Sequence, residues 1–188
     1  MKKLLAILLI INLESILLIG CGNRKISNDV VSIEQFVGLE VSKPEDEADI
    51  QIVNEFEEKI WSELLDNCTV KEYSAEELEN LIRDLEQQYS YVIRDDGKTA
   101  SEAIEEIHGM TVEELAKEQL KKKYAVELIA EEEGLILTGS EYEAELEKQA
   151  AANGISSVEY ENMFGYEKLH EKFQEERVLE FLKDNLKK

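Results

Sequence analysis

Proline occurs once in this chain, at Pro44, so nothing downstream of that position carries the residue that breaks helix interiors. Cysteine and histidine are almost as scarce, with Cys21, Cys68, His108 and His170 making up the whole supply. Two cysteines cannot build a disulfide-stapled scaffold, and neither histidine has ligand spacing to a cysteine or to the other histidine, which argues against a zinc site. Basic residues are few: 21 Lys and Arg stand against 43 Asp and Glu, for a net charge of −22. Nucleic acid is bound by neutralising phosphates, so this balance disfavours it as a partner. Only nine glycines and 34% charged residues accompany 43% hydrophobic ones, which fits a helix-rich globular chain and not a disordered one.

Helix starts are abundant. Five times a hydroxyl residue is followed three positions later by glutamate, just ahead of an apolar pattern of helical period: Ser74/Glu77, Thr99/Glu102, Thr111/Glu114, Thr138/Glu141 and Ser156/Glu159. In such a capping box the hydroxyl accepts from the third amide of the helix while the glutamate accepts from the cap amide. Donors that the helix cannot satisfy internally are thereby bonded, and an anion sits at the positive helix end.

The apolar spacing fills in the elements. Ile50, Val53, Phe56, Ile60, Trp61, Leu64 and Leu65 form one helical face that ends at Asn67. After Ser74 comes a clean stripe of Leu78, Leu81, Ile82, Leu85, Tyr89 and Val92, and Asp95-Asp96-Gly97 is a turn. Ala103, Ile104 and Ile107 define a short helix stopped by Gly109. The longest helix runs from Val112 to about Glu133, with Leu115, Ala116, Val126 and Ile129 on one stripe and Leu120, Tyr124 and Leu128 on another, so it should contact neighbours on two sides. Leu135-Ile136-Leu137 is a connector; helices after Thr138 and Ser156 follow, the second carrying Val158 and Phe164, and a final helix bears Leu169 to Leu186. A loose alternation after Val30, through Val31, Ile33, Leu39 and Val41, predicts a brief extended segment near Gly38 to Val41. The fold class is all-α, multi-helix, with a short extended N-terminal segment.

Residues 1–20 read as a signal peptide. Lys2 and Lys3 form a basic start, Leu4 to Ile11 an apolar core, and Leu18-Ile19-Gly20-Cys21 closes it. These four residues resemble the lipobox of bacterial lipoproteins, in which the signal is cut and the cysteine becomes the acylated first residue. Glu14 would cost roughly 2.5 to 3.5 kcal/mol at mid-bilayer, which suits a cleaved signal better than a permanent span. The resemblance implies lipidation at Cys21, a linker over 21–36, and a body over 37–188 held on the outer face of a cell membrane. Loss of Lys2, Lys3 and Glu14 would make the mature chain one charge more negative. With Cys21 alkylated, Cys68 has no disulfide partner and reads as a semi-buried structural thiol.

A second resemblance covers the body. Thr-Val-Glu-Glu-Leu-Ala-Lys-Glu-Gln at 111–119, Glu-Leu-Ile-Ala-Glu-Glu-Glu-Gly-Leu at 127–135, the Thr138 helix, Asn-Gly-Ile-Ser at 153–156 and Glu-Arg-Val-Leu-Glu-Phe-Leu-Lys-Asp-Asn at 176–185 follow one another in order. Upstream stand Ile60-Trp61-Ser62-Glu63-Leu64-Leu65-Asp66-Asn67 and Gly38-Leu39-Glu40-Val41. In this order and spacing, Val37 to Lys188 resembles the C-terminal domain of the trigger factor chaperones, a helical chaperone body of SurA-like kind. The departures are two. Nothing matches the family's ribosome-docking Gly-Phe-Arg-x-Gly-Lys-x-Pro loop, and only 18 residues separate Val41 from Ile60, too few for its FKBP-like prolyl isomerase barrel. The resemblance implies the helical chaperone body without ribosome binding and without isomerase activity.

No catalytic constellation is present in the sequence, and neither a metal nor a cofactor is called for. Glu45-Asp46-Glu47 and Glu131-Glu132-Glu133 lack the spacing of a calcium loop and read as solvated faces. A chaperone needs apolar surface that stays exposed. The candidates for client binding are Met110, Leu135, Ile136, Leu137, Met163, Phe164 and Tyr166, which fall at helix junctions; the plainer alternative is that each closes its junction as core. The expectation is an extracytoplasmic, membrane-anchored lipoprotein, not an enzyme, that binds unfolded or newly secreted polypeptides. Alternatives are an accessory foldase related to peptidyl-prolyl isomerases, or a scaffolding lipoprotein with one folded partner.

Overall fold

The computed structural model describes residues 29–44, 49–92 and 97–187. The residues expected to form the signal peptide and the lipobox, with Cys21 and the start of the expected linker, lie outside them. Among the described residues the chain forms seven helices, α1 (Ile50–Asp66), α2 (Ala75–Val92), α3 (Ala100–His108), α4 (Val112–Glu132), α5 (Gly139–Ala152), α6 (Ser157–Phe164) and α7 (Tyr166–Asp184). Two three-residue strands, β1 (Val31–Ile33) and β2 (Cys68–Val70), complete it. The mostly helical class agrees with the periodicity.

All five cap positions open helices. At Thr99, Thr111, Thr138 and Ser156 the box is reciprocal: the hydroxyl oxygen accepts the amide of the glutamate three residues on, at 3.2 to 3.4 Å, and the glutamate carboxylate accepts the cap amide at 2.7 to 3.0 Å. At Ser74 the Oγ accepts the Glu77 amide at 3.4 Å. Helix α1 has a cap that carries no box: Asp49 accepts the Gln51 amide at 2.9 Å. Gly109 closes α3 in the left-handed region at φ 70°, where a β-carbon would be strained.

The extended segment lies earlier than the alternation placed it. β1 pairs antiparallel with β2 in the register Val31↔Val70, Ser32↔Thr69 and Ile33↔Cys68. Gly38 to Val41 is not a strand; its amide and carbonyl groups go instead to the C-terminal tail, Gly38 N–H to Asn185 O at 2.7 Å and Lys187 N–H to Leu39 O at 3.1 Å. Both partners are remote in sequence, and alternation alone cannot choose between them. Val31 is fully buried, so the stretch read as linker, 21–36, ends in folded structure.

The backbone clusters into two compact units. The first takes Tyr73–Leu120 and Glu143–Lys172; the second takes 29–72, Lys121–Tyr142 and the chain from Phe173. Helices α4, α5 and α7 contribute residues to both. Leu81, Leu85, Tyr89, Ala103, Ile104, Leu115, Ala116 and Leu169 are buried in the first unit, and Val31, Leu39, Ile60, Leu64, Ile129, Val178 and Leu182 in the second. In the second unit α4 is buried nearly all round, with every residue from Lys123 to Ala130 except Glu127 closed to solvent. The two stripes read from its sequence merge there into one core segment.

Candidate functional site

The connector between α4 and α5, in the second unit, is built by three local devices. Gly134 at φ 65° ends α4 and lets Leu135 N–H fold back to Ala130 O at 2.8 Å, a Schellman closure. Thr138 and Glu141 then start α5 with their box. Between them, Gln174 of α7 reaches in: its Nε2 donates to Leu135 O at 3.0 Å and its Oε1 accepts from Leu137 N–H at 2.8 Å. Gln174 is only 8% exposed, and both polar ends of its amide are satisfied, so it stands in the core at little cost.

That arrangement divides the three connector residues. Ile136 points outward at 57% exposure, Leu135 is half-buried, and Leu137 is buried at 8%. Leu137 is therefore not an exposed client-binding residue: Gln174 fixes its amide inward and its side chain joins the core. The surroundings are acidic, with Glu132 and Glu133 exposed beside half-buried Glu131. Glu141 accepts from Thr138 and pairs with Arg177 at 2.6 Å, and these contacts hold its carboxyl down at about 2.

In the first unit the candidates gather at the junction of α6 and α7. Tyr160 and Phe164, one helical turn apart, lie ring against ring with centroids 4.8 Å apart and planes tilted by 53°; Tyr160 is buried and Phe164 half-buried. Gly165 interrupts the helix at φ 87°. On either side of it Met163 and Tyr166 are 68% and 54% exposed, and the Tyr166 ring lies against His170 at 5.7 Å. Met110, between Gly109 and the Thr111 cap, is half-buried. Val158, which the short helix after Ser156 carries together with Phe164, is exposed. The signal was present, since Tyr160 and Phe164 define the inward face and a residue two positions from Tyr160 lies on the opposite side of a helix.

His108 is half-buried with Nε2 bonded to the Tyr89 hydroxyl, and burial pushes its pKa below 6.5. Cys68 is buried in β2, and burial pushes its thiol up. Among the described residues no group of three or more His, Cys, Asp or Glu is placed to hold a metal ion, and no helix is long and apolar enough to cross a membrane. No protein-family model, curated protein or solved structure matches this chain. The likeness to trigger factor bodies thus rests on the sequence segments alone.

Proposed function

We infer that this chain is a membrane-anchored, extracytoplasmic chaperone-like lipoprotein with a trigger-factor-like body, which holds unfolded or newly secreted polypeptides without covalent chemistry. The observation that carries the reading is the exposure of large apolar side chains at helix junctions: Ile136 in one unit, Met163 and Tyr166 in the other. Each stands beside a junction that is otherwise well closed, by Gln174 in the first case and by the tilted Tyr160–Phe164 ring pair in the second. Exposed apolar groups on a strongly acidic chain offer burial to a client while like charge keeps the binder itself soluble. Basic clients gain most. The lipid anchor at Cys21 would hold the body at the membrane surface where secreted chains emerge, since two acyl chains anchor where one binds only marginally.

The test is aggregation of a reduced, unfolded basic client followed by light scattering, with and without the purified full chain. Suppression at a few-fold excess is expected, weakened in a variant that combines Ile136→Ser, Met163→Ser and Tyr166→Ser. No suppression at several-fold excess sinks the reading.

A further inference from the structure

The connector between α4 and α5 holds one residue whose backbone is left open. Gln174 bonds the carbonyl of Leu135 and the amide of Leu137, as a single residue of a parallel neighbouring strand would, which is the pairing that an extended three-residue run offers. In an extended run the polar groups of the middle residue face the other edge, away from Gln174. The amide and carbonyl of Ile136 have no hydrogen-bond partner among the described residues, while the Leu135 amide closes on Ala130 and the Thr138 amide on Glu141. The same residue presents the exposed side chain.

We propose that Ile136 is a pairing edge for one extended segment of unfolded polypeptide, its N–H donating to and its C=O accepting from the segment's main chain. This rests on the client-holding reading above and gives it a chemistry. Main-chain pairing at a sheet-like edge is indifferent to side-chain sequence, which a holder of unfolded chains requires, and the Ile136 side chain adds apolar contact. The favoured segment carries lysine or arginine beside apolar residues, because Glu131, Glu132 and Glu133 precede the connector. A second copy of this chain is a poor occupant, since each carries a net charge of −22. Extended sheet growth is also blocked, because α4 ends at Glu132 and α5 begins at Gly139, leaving a short edge between two capped helices. Gln174 acts as a positioning residue: it touches no client and holds the run extended.

The probe is a seven-residue peptide alternating valine and lysine, in three forms: unmodified, N-methylated along one edge, and N-methylated at every backbone amide. The last form keeps all side chains and loses all main-chain donors. With the full chain, the unmodified peptide should slow hydrogen exchange of the Ile136 amide, the one-edge form should bind within about two-fold, and the fully methylated form should bind at least ten-fold more weakly. Ile136→Pro, which removes the amide, and Gln174→Leu, which frees the run, should each lose ten-fold, whereas Ile136→Ala, which keeps the backbone groups, should lose much less. Circular dichroism identifies any variant that fails to fold, and the peptide series on the wild-type chain does not depend on the variants. Equal binding of all three peptides, or protection of the Ile136 amide by self-association of the free chain, overturns the proposal. If the wild-type chain suppresses client aggregation but no peptide protects Ile136, the edge is wrong and the holding reading survives; protection without suppression refutes the holding reading and leaves the edge.

Discussion

Tyr89 of α2 and His108 of α3 meet through a hydrogen bond between the phenol oxygen and Nε2, with their rings 75° apart in plane and their centroids 5.7 Å apart. Tyr89 is buried, and desolvation lowers the His108 pKa below 6.5 against the opposing pull of Glu118. Desolvation therefore favours the neutral ring in the folded chain, and that ring and the hydroxyl share one hydrogen bond. When the folded pKa of a base is depressed, the unfolded chain takes up the proton first, so stability is full above pH 6.5 and declines as pH falls toward the folded value. Urea midpoints across that interval should fall with pH in the wild type and stay level in His108→Gln, which keeps an acceptor but does not titrate. Identical slopes would remove His108 as the cause. Tyr89→Phe should cost about 0.5 to 1.5 kcal/mol, the usual worth of one buried hydrogen bond.

A separate acid limb belongs to the caps. Glu141 accepts from Thr138 and from Arg177 and is held at about 2, and Glu102, Glu114 and Glu159 are lowered by their own cap residues. Their folded values are depressed, so the stability they add is present above the ordinary carboxylate pKa of 4.5 and is lost as pH falls through the folded values. Carbon-detected titration of the glutamate side chains should give Glu141 the lowest midpoint of the four. Thr138→Ala should raise that midpoint and destabilise the chain by about 1 kcal/mol, as loss of an N-cap usually does. A Glu141 midpoint near 4.5 in the wild-type chain would contradict the box geometry.

Trp61, the sole tryptophan, lies under the Lys122 ammonium, 4.3 Å from ring centroid to Nζ, and the same ammonium pairs with Glu175 at 2.6 Å. Lys122 thus joins α1 to α7 within the second unit. A double-mutant cycle of Lys122→Met and Glu175→Gln, read by Trp61 fluorescence during unfolding, should return a coupling of about 0.5 to 1 kcal/mol. A coupling of zero would mean that the ammonium is held by the indole face alone, a contact worth about 0.5 to 2 kcal/mol.

The helices were legible because their signals are local. Thr99, Thr111, Thr138 and Ser156 each announce a helix within four residues, and the spacing of Leu81, Leu85 and Tyr89 fixes the buried face of α2. What depends on distant partners was not legible. β1 could be placed only by knowing that Cys68–Val70 lies beside it, and residues 38–41 only by knowing that the tail at Asn185 and Lys187 takes their bonds. The site divides the same way. Met163 and Tyr166 could be read as flanking a glycine break, but Gln174 gives no sequence signal that it reaches back to Leu135 and Leu137, and without it the inward turn of Leu137 could not be foreseen.

The two cysteines make the anchoring question measurable. Cys68 is buried in β2 opposite Ile33 of β1, and burial raises its pKa, so both access and thiolate fraction are low in the folded chain. A thiol reagent applied to the native membrane-extracted protein should leave Cys68 unmodified, and its slow labelling should track global opening of the second unit under increasing urea. In full denaturant a chain acylated at Cys21 exposes one reactive thiol, whereas an unacylated chain that retains Cys21 exposes two. Intact mass before and after alkylation therefore counts the free thiols and weighs the acyl chains in one measurement. One thiol, together with the mass of the lipid at an N-terminal Cys21, is the expected result; two thiols on a chain beginning upstream of Cys21 would remove the lipid tether from the proposed function and leave the exposed junctions to stand without it.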